Sequence, residues 1–209
     1  HKGDHGKILL IAGSEEYPGA VLLAGKSALA AITSSIAALR TGIDLITIAA
    51  PSNVGWLIHK YLPDIIVKKF PGNYLVKHQV KVIVKITKNI DAVVIGPGFG
   101  RKSDGFVKEF INQISKIKNN SFISILDADA LKAINKSDLK KLKNAILTPH
   151  AKEFELLFKE RLPKNNQDIK KRINIVKKHS KKYKNIVLLV KGNPDIIAFN
   201  GTIKLNFTG

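Results

Sequence analysis

Four stretches of this sequence place chemically useful residues just after apolar runs, where the carboxyl ends of strands in open α/β sheets present ligand sites. Gly96-Pro97-Gly98-Phe99-Gly100 follows Asp91-Ala92-Val93-Val94-Ile95. Glycine tolerates positive φ and puts no Cβ between backbone and ligand, so this turn either admits a ligand or only leads the chain from strand to helix. Asp127-Ala128-Asp129 follows Phe122-Ile123-Ser124-Ile125-Leu126. Two carboxylates so spaced suit a metal ion or a hydroxyl; the alternative has Asp129 capping the next helix and Asp127 hydrogen-bonded in the turn. His150 follows Ala145-Ile146-Leu147-Thr148-Pro149 and is either a site residue or a polar loop residue. Lys191-Gly192 follows Ile186-Val187-Leu188-Leu189-Val190, and a lysine there can meet phosphate as a point charge.

The elements that must position these groups alternate. Lys7 to Ala12 reads as a first strand, Ser14 to Gly19 as a loop, and Ala20 to Thr41 as a long Ala- and Leu-rich helix stopped by Gly42. Ile43 to Ala50 is a second strand. Ser52 or Asn53 is expected to cap a short helix through Trp56 to Tyr61, with a further strand in Asp64 to Phe70. Val76, Val80, Ile83 and Val84 give helical spacing to Leu75–Asn89. Ser103 is placed to cap a helix from Asp104 to Lys118 whose face is Phe106, Phe110, Ile114 and Ile117. Glu153 to Phe158 is another helix. Asp195 to Phe199 and Thr202 to Phe207 read as a hairpin around Asn200-Gly201. Alternating strands and helices predict a mostly parallel sheet with helices on both faces, so the special residues should line one sheet edge. Ala20 to Ser27 imitates a phosphate-binding loop, but Val21-Leu22-Leu23-Ala24 is helix-forming, and its N–H groups would be used inside the helix.

The 209 residues suffice for one domain with a sizeable core. There is no cysteine, which excludes disulfides and thiolate metal sites and fits a cytoplasmic protein. No apolar run reaches membrane-spanning length without polar interruption, and His1-Lys2-Gly3-Asp4-His5 is no signal peptide. The chain contains no methionine, which points to a piece of a longer protein. The net charge of +19 favours polyanionic ligands. Between Lys159 and Lys184 there are eleven Lys and Arg against two acidic residues. The scarcity of aromatic stacking partners there argues for a solvated helix face over a nucleic-acid surface.

The order of motifs resembles the ADP/ATP-dependent NAD(P)H-hydrate dehydratases. The resemblance rests on His1-Lys2-Gly3-Asp4-His5-Gly6-Lys7, Gly19-Ala20, Ala38-Leu39-Arg40-Thr41-Gly42 and Gly96-Pro97-Gly98-Phe99-Gly100. It continues through Leu126-Asp127-Ala128-Asp129-Ala130-Leu131, Leu147-Thr148-Pro149-His150 with Glu153-Phe154, and Lys191-Gly192. It implies a ribokinase-like three-layer α/β/α sandwich with a mostly parallel central sheet and a β-hairpin near the C-terminal end, occupying residues 1–209 as a single domain. The implied activity is repair: the hydroxyl of hydrated NADH or NADPH is phosphorylated by ADP or ATP with Mg²⁺, and loss of phosphate restores the ring. By matching positions, Ala20, Gly98, Gly100, Asp127 and His150 would meet the hydrated dinucleotide. Lys191, Gly192, Asn193, Pro194 and Asp195 would line the nucleotide site. A homo-oligomer and an N-terminal epimerase domain in the full chain are implied in the same way.

The sequence departs from the family at Gly42-Ile43-Asp44-Leu45, where Gly-Ala-Gly-Leu is usual, and at Ala151-Lys152, where Pro-Gly is usual. The family's Gly-Gly-Thr-Gly-Asp motif, with its anion hole and base, is expected beyond Gly209. The residues present therefore offer no assigned catalytic base and no protein-borne metal site. A second enzyme reading is a small-molecule kinase of the same superfamily, acting on a vitamin precursor or sugar, and a non-catalytic nucleotide binder is a further reading. A basic nucleic-acid-binding domain is the reading from a different class.

Overall fold

A computed structural model describes residues 6–33, 45–63, 65–117, 122–164 and 168–208. The opening His-Lys-Gly motif, the Leu39-Arg40 segment with its Gly42 stop, Ile43, Asp44, Asp64 and Lys118 lie outside the described residues.

Short runs rich in Ile, Val and Leu form the strands. In chain order the elements are β1 (Lys7–Ile11), α1 (Pro18–Thr33), β2 (Leu45–Pro51), α2 (Ser52–Tyr61), β3 (Ile66–Phe70), α3 (Val80–Ile86), β4 (Ala92–Ile95) and α4 (Asp104–Ser115). There follow β5 (Ile123–Leu126), α5 (Asp129–Ala133), α6 (Lys136–Leu139), β6 (Ala145–Leu147), α7 (Ala151–Phe158), α8 (Ile169–Lys182), β7 (Ile186–Val190), β8 (Asp195–Phe199) and β9 (Thr202–Asn206). They form one nine-stranded sheet in the order β3-β2-β1-β4-β5-β6-β7-β8-β9. The pairings from β3 to β7 are parallel, and β8 and β9 join antiparallel as the expected hairpin. The order in which strands are added reverses between β1 and β4, and such a switch point opens a crevice at the strands' carboxyl ends.

Alternation along each strand sends side chains to two cores. Leu9, Ile11, Val93, Ile95, Leu126, Leu147 and Leu188 join the larger one. The expected α4 face fills it: Phe106, Phe110 and Ile114 are buried, and Ile117 packs at its border. Phe106 meets Phe99 edge-on at 5.8 Å and lies nearly parallel to Phe110 at 6.1 Å. On the other face, α1 and α2 bury Leu10, Ile46, Ile48 and Ala50 under Val21, Val54 and Ile58. Among the described residues this second helical layer stops near β4. Beyond it Val94, Ile125, Ile146 and Val187 lie side by side in register on the same face. All four are only partly covered, and Ile123 is 44% exposed. Parallel strands are ordinarily covered on both faces; among the described residues the three-layer arrangement is complete over one half of the sheet only.

Two capping expectations need correction. The residue capping α2 is Pro51, with no side-chain bond, because the helix starts directly from the last strand residue. Ser52 instead donates its hydroxyl to the Phe70 carbonyl at 3.0 Å, and Asn53 Oδ1 accepts from the next N–H, Val54, at 2.9 Å. Ser103 does precede α4, but it makes no side-chain cap; its hydroxyl turns back to the Phe99 carbonyl at 3.5 Å. Ala20 to Ser27 lies inside α1, which removes the phosphate-loop reading. Among the described residues no helix is long and apolar enough to cross a membrane.

Phe110 is 1% exposed in the ring stack. Phe110→Ala is expected to cost about 3–5 kcal/mol, measured as a lowered midpoint of denaturant unfolding with unchanged slope.

Candidate functional site

The glycine turn follows β4, with Gly96, Gly98 and Gly100 at φ of 123°, 68° and 66°. A side chain on Gly96 would lie 2.0 Å from the Asp127 carbonyl, and one on Gly98 would lie 2.7 Å from the Tyr17 carbonyl and 2.9 Å from Ala20 Cβ. The missing side chains thus let the loops after β1, β4 and β5 close on one another. The structure brings Ala20 and Gly98 together. Gly13 N–H donates to the Pro97 carbonyl at 2.9 Å, stitching the two sides of the switch point.

Asp129 holds this turn. Gly100 N–H donates to its Oδ2 at 2.9 Å and Lys132 Nζ to its Oδ1 at 2.8 Å. It is therefore not the cap of α5; Ala128, at φ 49°, precedes that helix, and Asp129 is its first residue. Asp127 belongs to a second cluster. Its Oδ1 accepts from Lys191 Nζ at 2.6 Å and from the Thr148 hydroxyl at 2.7 Å. The ends of β5, β6 and β7 are joined through these three side chains, and Lys191 N–H adds a bond to the Pro149 carbonyl at 2.9 Å. The side chains of Lys191 and Asp127 remain 44% and 30% exposed, so the pair faces the open edge.

His150 has a defined structural task. Its Nδ1 accepts from the N–H groups of Lys152 and Glu153, at 3.1 and 3.3 Å, capping α7. Glu153, 4% exposed, returns a bond through Oε2 to the His150 N–H at 3.1 Å. An accepting Nδ1 leaves the ring proton on Nε2, which lies 3.3 Å from Glu153 Oε1. The His-x-x-Glu spacing is the sequence signature of such a reciprocal cap, which reading His150 alone passes over.

In the 191–195 loop, Gly192 N–H donates to Asp195 Oδ1 at 2.8 Å, and Asn206 Nδ2 donates to Asp195 Oδ2 at 3.3 Å. The Asn193–Pro194 peptide is cis. Asp195 therefore shapes the loop from within, Pro194 is buried, and Lys191, Gly192 and Asn193 are exposed. Beneath them lies Arg172, 3% exposed, whose Nη2 donates to the Lys191 carbonyl at 3.1 Å. Burial pulls its pKa down, and Asp195 acts in the opposite sense. Sequence reasoning placed Arg172 in a solvated basic helix. The available signal was its spacing with Val176 and His179, which form the buried stripe of α8. The neighbouring lysines of α8 are exposed, as expected, and Tyr183 is buried, which leaves the segment no aromatic platform for bases.

An open, mostly parallel sheet with this strand order and a closing hairpin defines a ribokinase-like protein. A ribokinase-like superfamily protein from Enterococcus faecalis shares the fold, with a TM-score of 0.74 at 18% identity over 99% of this chain and 64% of that one. The NAD(P)H-hydrate dehydratase family model matches residues 8–209, and the chain belongs to that family. It is similar to the bifunctional NAD(P)H-hydrate repair enzyme Nnr of Methanothermobacter thermautotrophicus, 32% identical over 209 residues, which are 100% of this chain and 38% of that protein. It is also similar to the ADP/ATP-dependent NAD(P)H-hydrate dehydratase of Bacillus subtilis co-crystallised with ATP/Mg²⁺. That structure gives a TM-score of 0.71 at 30% identity, with 100% of this chain and 66% of that one covered. The chain thus spans well under half the length of the Methanothermobacter relative.

The helix that carries Arg172 is anchored by a pH-sensitive pair. His179 Nε2 lies 2.8 Å from Glu160 Oε2, with Phe158 4.4 Å from the imidazole. Burial is the main cause lowering the His179 pKa, and bonds from Lys178 and His179 lower that of Glu160. Both shifts make the fold bind fewer protons than the unfolded chain, so stability is present above the unfolded pKa values and is lost as pH falls. The melting temperature is expected to fall as pH is lowered from about 7 to about 5, through the range where an unfolded histidine charges. His179→Gln should flatten that slope, measured by calorimetry across the interval; an unchanged slope would remove His179 from the account.

Proposed function

We propose that this chain is the substrate- and nucleotide-binding part of an enzyme that repairs hydrated NADH and NADPH. The observation that carries the reading is convergence. In a member of the NAD(P)H-hydrate dehydratase family, the glycine turn, Asp127, Thr148, His150 and Lys191 meet along one edge of one sheet. Ala20, Gly98, Gly100 and His150 flank the hydrated dinucleotide, and the exposed backbone and lysine of 191–193 face the nucleotide.

In this reading the hydrate hydroxyl gives up its proton to a base and attacks the terminal phosphorus of ATP or ADP, expelling ADP or AMP. The ring nitrogen then drives out phosphate, and loss of a ring proton restores the dihydronicotinamide. Hydroxide leaves poorly and phosphate well, which is why a phosphoryl donor is needed. Among the described residues no three His, Asp or Glu side chains gather to cage a metal ion. In this reading Mg²⁺ would be carried mainly by the nucleotide phosphates, where it would neutralise charge during transfer. Asp127 and Asp129 are each held by a lysine and a further donor. Neither carboxylate is assigned as the base.

A cytoplasmic location, a homo-oligomer and a fused N-terminal epimerase domain complete the reading. The exposed apolar side chains Leu23, Trp56 and Tyr61 on α1 and α2 support self-association, and the Methanothermobacter relative is described as bifunctional. The test is recovery of reduced-nicotinamide absorbance from hydrated NADH and hydrated NADPH, with Mg²⁺ and ADP or ATP. It compares residues 1–209 with the chain extended by whatever its gene encodes past Gly209. Turnover by the extended chain is expected. Accumulation of a phosphorylated product that never loses phosphate would instead make the protein a kinase.

A further inference from the structure

A cleft of about 790 Å³ opens between the first turn of α7 and the segment Arg161–Lys164. Its volume is in the range of small-molecule sites. Its lining includes Ala151, Lys152, Glu155, Arg161, Lys164 and Arg172. Four cations thus face a space that holds one carboxylate. Lys152, Arg161 and Lys164 are exposed, while Arg172 is 3% exposed and fixed beneath the cleft.

The cleft is one bond from each of the two ligand-facing segments. The N–H of Lys152 is held by His150 Nδ1 at 3.1 Å, and Arg172 Nη2 holds the Lys191 carbonyl at 3.1 Å. A ligand lying across the carboxyl edge between His150 and Lys191 therefore passes its mouth. Exposed cations around a buried guanidinium suit a dianion with several acceptor oxygens, and phosphate is the group that offers them. Glu155 selects further. A carboxylate beside the cations repels a bare polyanion but accepts from a hydroxyl or amine, which a phosphorylated nucleoside carries next to its phosphate.

We infer that this cleft is a subsite for the phosphate ester of a nucleoside, with Lys152, Arg161 and Lys164 contacting the phosphate and Glu155 its neighbouring hydroxyl or amine. The inference rests on the proposed function for the ligands on offer. The phosphate comes either from the donor nucleotide or from the 2′-phosphate that distinguishes an NADPH-derived substrate from an NADH-derived one.

The test replaces Lys152, Arg161 and Lys164 together by Ala in the full gene product. A control variant removes the same charge at Lys81, Lys85 and Lys88, on and after α3. Binding of ADP, ATP, NADH and NADPH is measured by calorimetry at fixed ionic strength. The cleft variant is expected to bind one class of probe about tenfold more weakly, as three partly exposed charge contacts would give; the control should change by less than about twofold. Loss confined to ADP and ATP assigns the subsite to the donor, and loss confined to NADPH assigns it to the 2′-phosphate. Equal losses in both variants would reduce the cleft to part of the general positive field and overturn the inference, as would no loss in either. Repair activity is read separately. A protein that fails to repair hydrates yet shows the cleft-specific loss keeps the subsite and drops the function. One that repairs them with unchanged KM for every ligand keeps the function and drops the subsite.

Discussion

The carboxyl edge of this sheet depends on where one lysine is held. Lys191 extends from the end of β7 past β6 to Asp127 at the end of β5, and Thr148 donates to the same carboxylate oxygen. A half-exposed pair of this kind contributes little to folding, on the order of 1 kcal/mol or less. Its consequence is positional: three parallel strands end level, and a cation and a carboxylate are presented at one point. Stability comes from the phenylalanine-rich core below, where Phe99, Phe106, Phe110, Phe154 and Phe158 are almost wholly buried.

Around that point the backbone is shaped by close approach. Gly96 fits only because it has no Cβ to meet the Asp127 carbonyl, and Gly192 lies where a Cβ would be 2.7 Å from Arg172. Arg172 then fixes the carbonyl of the residue whose side chain reaches Asp127. The glycine turn and the 191–195 loop at this edge are thus both set by contacts within the protein.

Much of this was legible in the sequence because apolar runs and their terminators are local signals. The strand ends at Gly96, Asp127, His150 and Lys191 stand where periodicity put them, and the Asn200-Gly201 hairpin follows from turn chemistry. Side-chain partners were less legible, because they are settled between segments distant in the chain. Ser103 had the right type and place for a cap but turned to the Phe99 carbonyl. Asp129 went to a glycine N–H 29 residues away in sequence. Thr148 gave no more signal than any hydroxyl until Asp127 was seen beside it, and Arg172 was hidden among lysines whose charge it shares. The open apolar row Val94, Ile125, Ile146 and Val187 was equally invisible, since a parallel strand reads the same whether one or both of its faces are covered.

The most direct test of the central claim is a double-mutant cycle on Asp127→Asn and Lys191→Met, read as ADP binding by calorimetry in the full gene product. If the two side chains act as one positioning unit, each single change weakens binding and the double change is little worse than either. The coupling would be about 1 kcal/mol or more. Strictly additive losses would show that Lys191 and Asp127 act independently, and the account of the strand-end edge would fail.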